Sequence, residues 1–85
     1  MNDMSRAPRV LVVDDEENVS FLVTSALRLA GIETRTAADG ATALTEADAF
    51  APDAVVLDVM LPDFDGFEVL RRLRGRGCQA PVLFV

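Results

Sequence analysis

Acidic residues collect where two apolar runs of this sequence end. The run "RVLVVD" (9–14) continues into Asp15, Glu16 and Glu17, and the run "DAVVLD" (53–58) ends in Asp58. Two carboxylates about 4 Å apart repel by roughly 4 kcal/mol at an effective dielectric near 20, and a third adds to this. Either a proton then stays bound or a cation sits among them. The sequence has no histidine, and all eight of its basic residues are arginines. The cation that suits several carboxylates is a hard divalent metal, Mg2+ above all, which keeps several waters and leaves a position for a phosphoryl oxygen. A carboxylate beside such an ion can attack phosphorus and become an acyl phosphate. All of this requires the two strands to be neighbours. The plainer reading is that Asp15 or Glu16 caps a helix whose first turn is acidic and solvated, and that Asp58 forms a turn. The joint pattern, two acids after one strand and one after another, is more specific than either half.

Three other phosphate or metal arrangements fail on spacing. An EF-hand aligned on Asp65-Gly66 places Leu61 at loop position 1 and Arg72 at position 12, where acids belong. A haloacid-dehalogenase-type phosphatase needs a second Asp two residues beyond the nucleophile, where Met60 stands. No glycine-rich phosphate loop follows the first run.

The elements that must position these acids alternate along the chain. "RVLVVD", "DAVVLD" and "PVLFV" (81–85) are short and valine-rich, as strands buried on both faces of a parallel sheet are. "IETRTA" (32–37) alternates like an edge strand. From 16 to 30, Val19, Leu22, Val23, Ala26, Leu27 and Ala30 recur at helical steps and predict one apolar face, closed by Gly31. Asp39 can cap a second helix running to about Phe50, which Pro52 ends. A third helix carries Phe67, Leu70 and Leu73 and finishes in "RRLRGRG", suited to the negative end of a helix dipole. The order β1-α1-β2-α2-β3-α3-β4 predicts an α/β fold: a doubly wound parallel sheet with helices on both faces and right-handed crossovers. Ligands of such sheets sit beyond the carboxyl ends of the strands, at a topological switch point.

Composition sets outer bounds. Eighty-five residues make one domain, with 51% hydrophobic and 26% charged residues, the balance of a globular chain. A formal net charge of −6 argues against direct binding to nucleic acid. A single cysteine, Cys78, allows no internal disulfide and fits a reducing compartment, with an inert thiol. No apolar run is long enough to span a bilayer. Residues 1–8 are expected to be a flexible arm and 9–85 the folded part. Phe64 and Phe67 are expected in the core, and Arg71, Arg72, Arg74 and Arg76 on a solvated helix end.

The segments "VLVVDDEE", "AADG", "PDAVVLDVMLPDFDG" and "VLRRLR" resemble a response-regulator receiver domain, the CheY-like phosphoacceptor of bacterial two-component signalling. The match runs from about Arg9 to Val85, and the spacing of "LDVMLPDFDG" is highly specific. The resemblance implies the flavodoxin-like strand order 2-1-3-4, with the family's fifth strand absent from these residues. It implies that Asp58 is the phosphoacceptor, that Asp15 ligates Mg2+ directly, that Asp14 helps through water, and that Met60 offers its backbone carbonyl. Pro62 and Gly66 would shape the following loop, proline by fixing a dihedral and glycine by adopting a conformation other residues avoid. The implied function is acceptance of a phosphoryl group from a sensor histidine kinase in the cytoplasm, with slow hydrolysis afterwards. The protein would be no enzyme in the ordinary sense. It would control an effector, a DNA-binding transcription regulator of the OmpR/PhoB type, and DNA would be met only through that effector. The alternative is a receiver-fold module that is not phosphorylated and acts through its surfaces.

Two further expectations come from the resemblance. The family's switch Ser/Thr and phosphate-binding lysine lie beyond the fourth strand, so phosphorylation of these 85 residues alone should be weak. The fourth strand should present an unpaired apolar edge, inviting a homo-oligomer or strand-swapped dimer.

Overall fold

The computed structural model describes residues 6–85. Its elements are β1 (Arg9–Val13), α1 (Glu17–Leu29), β2 (Glu33–Ala37), α2 (Gly40–Phe50), β3 (Ala54–Leu57), α3 (Gly66–Gly75) and β4 (Val82–Phe84). All strands are parallel, in the order β2-β1-β3-β4. Element order and sheet order both match the expected doubly wound arrangement. The register sets Val13 beside Leu57, so β1 and β3 end at the same level.

Local chemistry explains the boundaries. α1 closes on Gly31, which takes a left-handed φ of 82°. α2 starts where the Asp39 carboxylate accepts the Thr42 N–H at 2.7 Å. It stops at Ala51, itself left-handed, immediately before Pro52. α3 begins where Asp65 accepts the Glu68 N–H at 2.9 Å.

The core lies on one face of the sheet. Leu11, Val13, Val55 and Leu57 meet Ala43, Leu44, Ala47 and Phe50 of α2, and Val69 and Leu73 of α3. Full burial of each large side chain contributes about 1.5–3 kcal/mol. No α1 residue enters this cluster; α1 packs on the opposite face, over β1 and β2.

Three expectations about the helices change. The α1 residues buried against the sheet are Ser20 and Thr24, whereas Val19, Leu22, Ala26 and Ala30 are exposed. Only one margin of the apolar stripe is covered, with Val23 and Leu27 half-buried, while Ser20 and Thr24 hold the most buried positions of the helix. Phe67 is 59% exposed and stacks on Phe84 with ring centroids 4.8 Å apart, while Val69 takes the core position expected of it. The arginine-rich end of α3 is solvated, as expected, yet its cations are engaged. Arg71 and Arg72 grip Glu68, Arg76 meets Asp48 at 2.8 Å, and Arg74 donates to the Cys78 and Ala80 carbonyls at 2.9 Å each. Arg72 also lies 4.2 Å from the centre of the Phe64 ring, and Phe64 packs against the core as expected.

Of the expected arm, residues 1–5 lie outside the described residues. Arg6 pairs with Asp53 at 3.2 Å, and the Pro8 carbonyl accepts the Glu33 N–H at 2.9 Å. Among the described residues, no helix is long and apolar enough to cross a membrane.

Candidate metal centre

The shared register of β1 and β3 decides where the acids go. The Asp58 N–H donates to the Val13 carbonyl at 2.9 Å, and the Asp14 N–H donates to the Ala37 carbonyl of β2 at 3.0 Å. Asp14 and Asp58 are thereby fixed side by side at the carboxyl edge of three adjacent strands. Asp15 follows on the turn into α1. Each of the three carboxylates brings an oxygen within 4.8 Å of the other two. Their burial is graded: Asp14 is 8% exposed, Asp58 half-buried and Asp15 exposed.

Small contacts orient the set. Asp14 accepts the Glu16 N–H at 2.9 Å, and the Ser20 hydroxyl donates to the Asp14 carbonyl at 3.3 Å. Asp58 accepts the Met60 N–H at 3.1 Å. The plainer reading of the acidic run is thus partly met. Glu16 occupies the N-cap of α1, but its side chain makes no capping bond. Asp14 reaches forward to the Glu16 amide instead.

Charge balance argues for a cation here. Two carboxylates 4.8 Å apart repel by about 3.5 kcal/mol at an effective dielectric of 20. Among the described residues, none of the ion pairs involves Asp14, Asp15 or Asp58. The donors are hard oxygens. Opposite ligands of an octahedral Mg2+ stand about 4.2 Å apart, so a cluster of this span fits one such ion with water completing its shell. A cleft of about 410 Å3 opens beside it between α1 and β2, next to Asp14, Asp15, Ser20 and Thr36.

The segment after Asp58 corrects one expectation. Gly66 does not have a positive φ; among the described glycines only Gly31 and Gly77 do. Its task is close approach. A Cβ at Gly66 would come within 2.5 Å of the Asp58 carbonyl oxygen and 3.0 Å of the Val59 Cα. The bare backbone lets α3 start directly against the end of β3, where the Gly66 N–H donates to the Val59 carbonyl at 2.8 Å. Met60 is exposed beside this junction.

The sequence profile of the response regulator receiver domain matches residues 10–85. The chain belongs to the response regulator receiver family. This receiver is 47% identical over 77 residues to the transcriptional regulatory protein TrcR of Mycobacterium tuberculosis, covering 91% of this chain and 30% of that one. It is 44% identical over 77 residues to the alkaline phosphatase synthesis transcriptional regulatory protein PhoP of Bacillus subtilis, covering 91% and 32% respectively. The receiver therefore spans about a third of the length of the curated relatives it matches. Among solved structures, the chemotaxis protein CheY4 of Vibrio cholerae superposes with a TM-score of 0.88 at 35% identity, over 92% of this chain and 67% of that one. The response regulator TrrA of Thermotoga maritima, solved in complex with Mg2+-BeF, superposes with a TM-score of 0.82 at 36% identity, over 88% and 65%.

One residue of this region was not singled out from sequence. The Asp63 carboxylate accepts N–H groups of Gly40 at 2.7 Å and Ala41 at 2.9 Å, both in the first turn of α2, and of Phe64 at 2.8 Å. These amides, that of Gly40 foremost, hold its carboxyl below the usual value of 3.8. Asp63 and Gly40 stand 23 residues apart, so no local pattern announces the contact.

Proposed function

We propose that Asp58 accepts a phosphoryl group from the phosphohistidine of a sensor kinase, with Mg2+ held by Asp14, Asp15, Asp58 and the Met60 backbone carbonyl. The observation that carries this reading is the convergence of three carboxylates within 4.8 Å at one strand edge. Bound Mg2+ supplies positive charge that offsets the acids and the phosphoryl oxygens. The chain's own residues do the positioning. The Val13 and Met60 contacts fix the backbone and carboxylate of Asp58. An Asp58 oxygen attacks phosphorus, and the O–P bond forms as the P–N bond breaks. The bonding pair stays on the ring nitrogen, and because the other ring nitrogen of the phosphohistidine already carries a proton, the group leaves as neutral imidazole. The protein is the acceptor in this exchange and turns over no separate substrate beyond slow loss of its own phosphoryl group.

The relatives are transcriptional regulators by name, and we assign this receiver the control of a DNA-binding effector, in a cytoplasmic setting that suits a free Cys78. The acidic convergence favours this over a purely surface-acting module. Among the described residues β4 pairs only with β3, and Leu83 and Val85 are 64% and 60% exposed.

Incubation with acetyl phosphate and MgCl2, followed by intact-mass measurement, tests the main reading. Slow gain of one phosphoryl group is expected, lost with EDTA and in Asp58→Asn. Labelling that persists in Asp58→Asn would overturn the assignment.

A further inference from the structure

We propose that Asp63 is a positioning residue for the metal centre: its carboxylate fastens the loop after Asp58 to the first turn of α2 and so holds the Met60 carbonyl and Asp58 in register with Asp14. The inference rests on the metal reading above.

The loop from Val59 to Asp65 packs on the core through Leu61 and Phe64 only. Met60, Pro62, Asp63 and Asp65 are exposed. Its ends are pinned, by the Asp58 N–H on Val13 and by the Gly66 N–H on Val59. Between them, Asp63 reaches two backbone donors of another element, Gly40 and Ala41. The first N–H groups of a helix have no partner within the helix. In α2 they are shared out: Asp39 takes that of Thr42, while Asp63, from a remote loop, takes those of Gly40 and Ala41. A negative group there also complements the helix dipole.

Packing repeats the fastening. A Cβ at Gly40 would come within 2.5 Å of the Phe64 ring and 3.1 Å of the Asp63 carboxylate, so glycine allows the loop to lie on the start of α2. The other end of the same junction is also tied to the site, since the Ala37 carbonyl accepts the Asp14 N–H at 3.0 Å. The segment from Ala37 to Ala41 thus bridges Asp14 on one side and the Asp58 loop on the other. Freeing Asp63 leaves the fold its core but lets one side of the metal centre drift relative to the other. Outer contacts of this kind change metal affinity by about tenfold or more.

The test compares Asp63→Ala, Asp63→Asn and Asp39→Ala with the wild-type chain by titration with MgCl2 in calorimetry, and by amide hydrogen exchange at residues 40, 41 and 59–65. Asp39→Ala removes a cap of α2 without touching the loop, so it controls for damage to the helix. We expect Asp63→Ala to weaken Mg2+ binding about tenfold and to speed exchange at 40, 41 and 59–65. Asp63→Asn, which keeps one accepting oxygen, should recover part of the affinity, and Asp39→Ala should stay within about twofold of wild type. Equal affinity in Asp63→Ala and wild type, or an equal loss in Asp39→Ala, would overturn the positioning role alone. No Mg2+ binding by the wild type would overturn the metal reading and this inference with it.

Discussion

On one face of the sheet Leu11, Val13, Val55 and Leu57 lie under α2 and α3. On the other, α1 covers β1 and β2, while Leu83 and Val85 of the β4 side remain open, as do Val19 and Leu22 of α1. The two faces share the same strands, yet the extended apolar cluster lies on one of them, while the other buries Val10 and Val12. The difference shows what an amphipathic pattern conveys. It states that a helix has an apolar stripe, and leaves open what the stripe meets. The acidic cluster stands at the strand edge between the two faces, with Asp14 tied to β2, Asp58 to β1, and the loop beyond Asp58 to α2.

The sharpest way to break this contrast is to remove matched side chains from the two faces. Leu11→Ala, at a fully buried position, should cost about 2–5 kcal/mol of unfolding free energy. Leu22→Ala, at a position 69% exposed, should change it by no more than about 0.5 kcal/mol. Urea denaturation followed by circular dichroism measures both, and equal losses would erase the distinction. Next comes Gly66→Ala, which puts a Cβ against the backbone of Asp58 and should cost about 1–3 kcal/mol by overpacking. Gly75→Ala, with nothing within 4 Å of the new Cβ, should instead stabilise α3 by about 0.5–1 kcal/mol.

Acid sensitivity should be the smallest effect, since the groups responsible are exposed. Asp53 is lowered by the Arg9 backbone N–H and by Arg6, Asp63 by the Gly40 N–H first, and Glu68 to about 2 by Arg71 and then Arg72. Each folded value lies below the unfolded one. The stability these groups contribute is therefore present above their ordinary values of 3.8 and 4.5 and is lost as the pH falls through their lowered values, about 2 for Glu68. Thermal unfolding from pH 6 to pH 2 should show a falling midpoint, and Glu68→Gln should flatten that fall. A midpoint insensitive to the substitution would show that the Glu68 pairs contribute nothing measurable.

Much of this was legible in the residues themselves. Near-continuous valine runs mark the parallel strands, although "PVLFV" gives a β4 whose Leu83 and neighbouring Val85 are exposed and not buried on both faces. The βα alternation leaves little freedom in how the strands connect. The acids were legible as a site because they stand at strand ends, where a sheet gathers residues that are remote in the chain. What escaped is contact between elements that local spacing does not encode. The orientation of α1 depends on Ser20 and Thr24 facing the sheet, which a pattern of apolar steps passes over. Phe67 reads as core by its size and spacing, but Val69 lies on the inward side of α3. Gly66 reads as a conformational residue, while its real constraint is the backbone of Asp58 lying against it. Asp63 is not singled out by the sequence, because its partners are 22 and 23 residues away.

The central claim is that Asp14, Asp15 and Asp58 serve one ion. Titration of the isotope-labelled chain with MgCl2, followed by the carboxyl and amide resonances of these three residues, tests it most directly. The account predicts that all three respond together with a single dissociation constant, and that Asp15→Asn or Asp58→Asn weakens the response at the remaining two. Three side chains that do not respond to Mg2+, or that respond with separate constants, would contradict it.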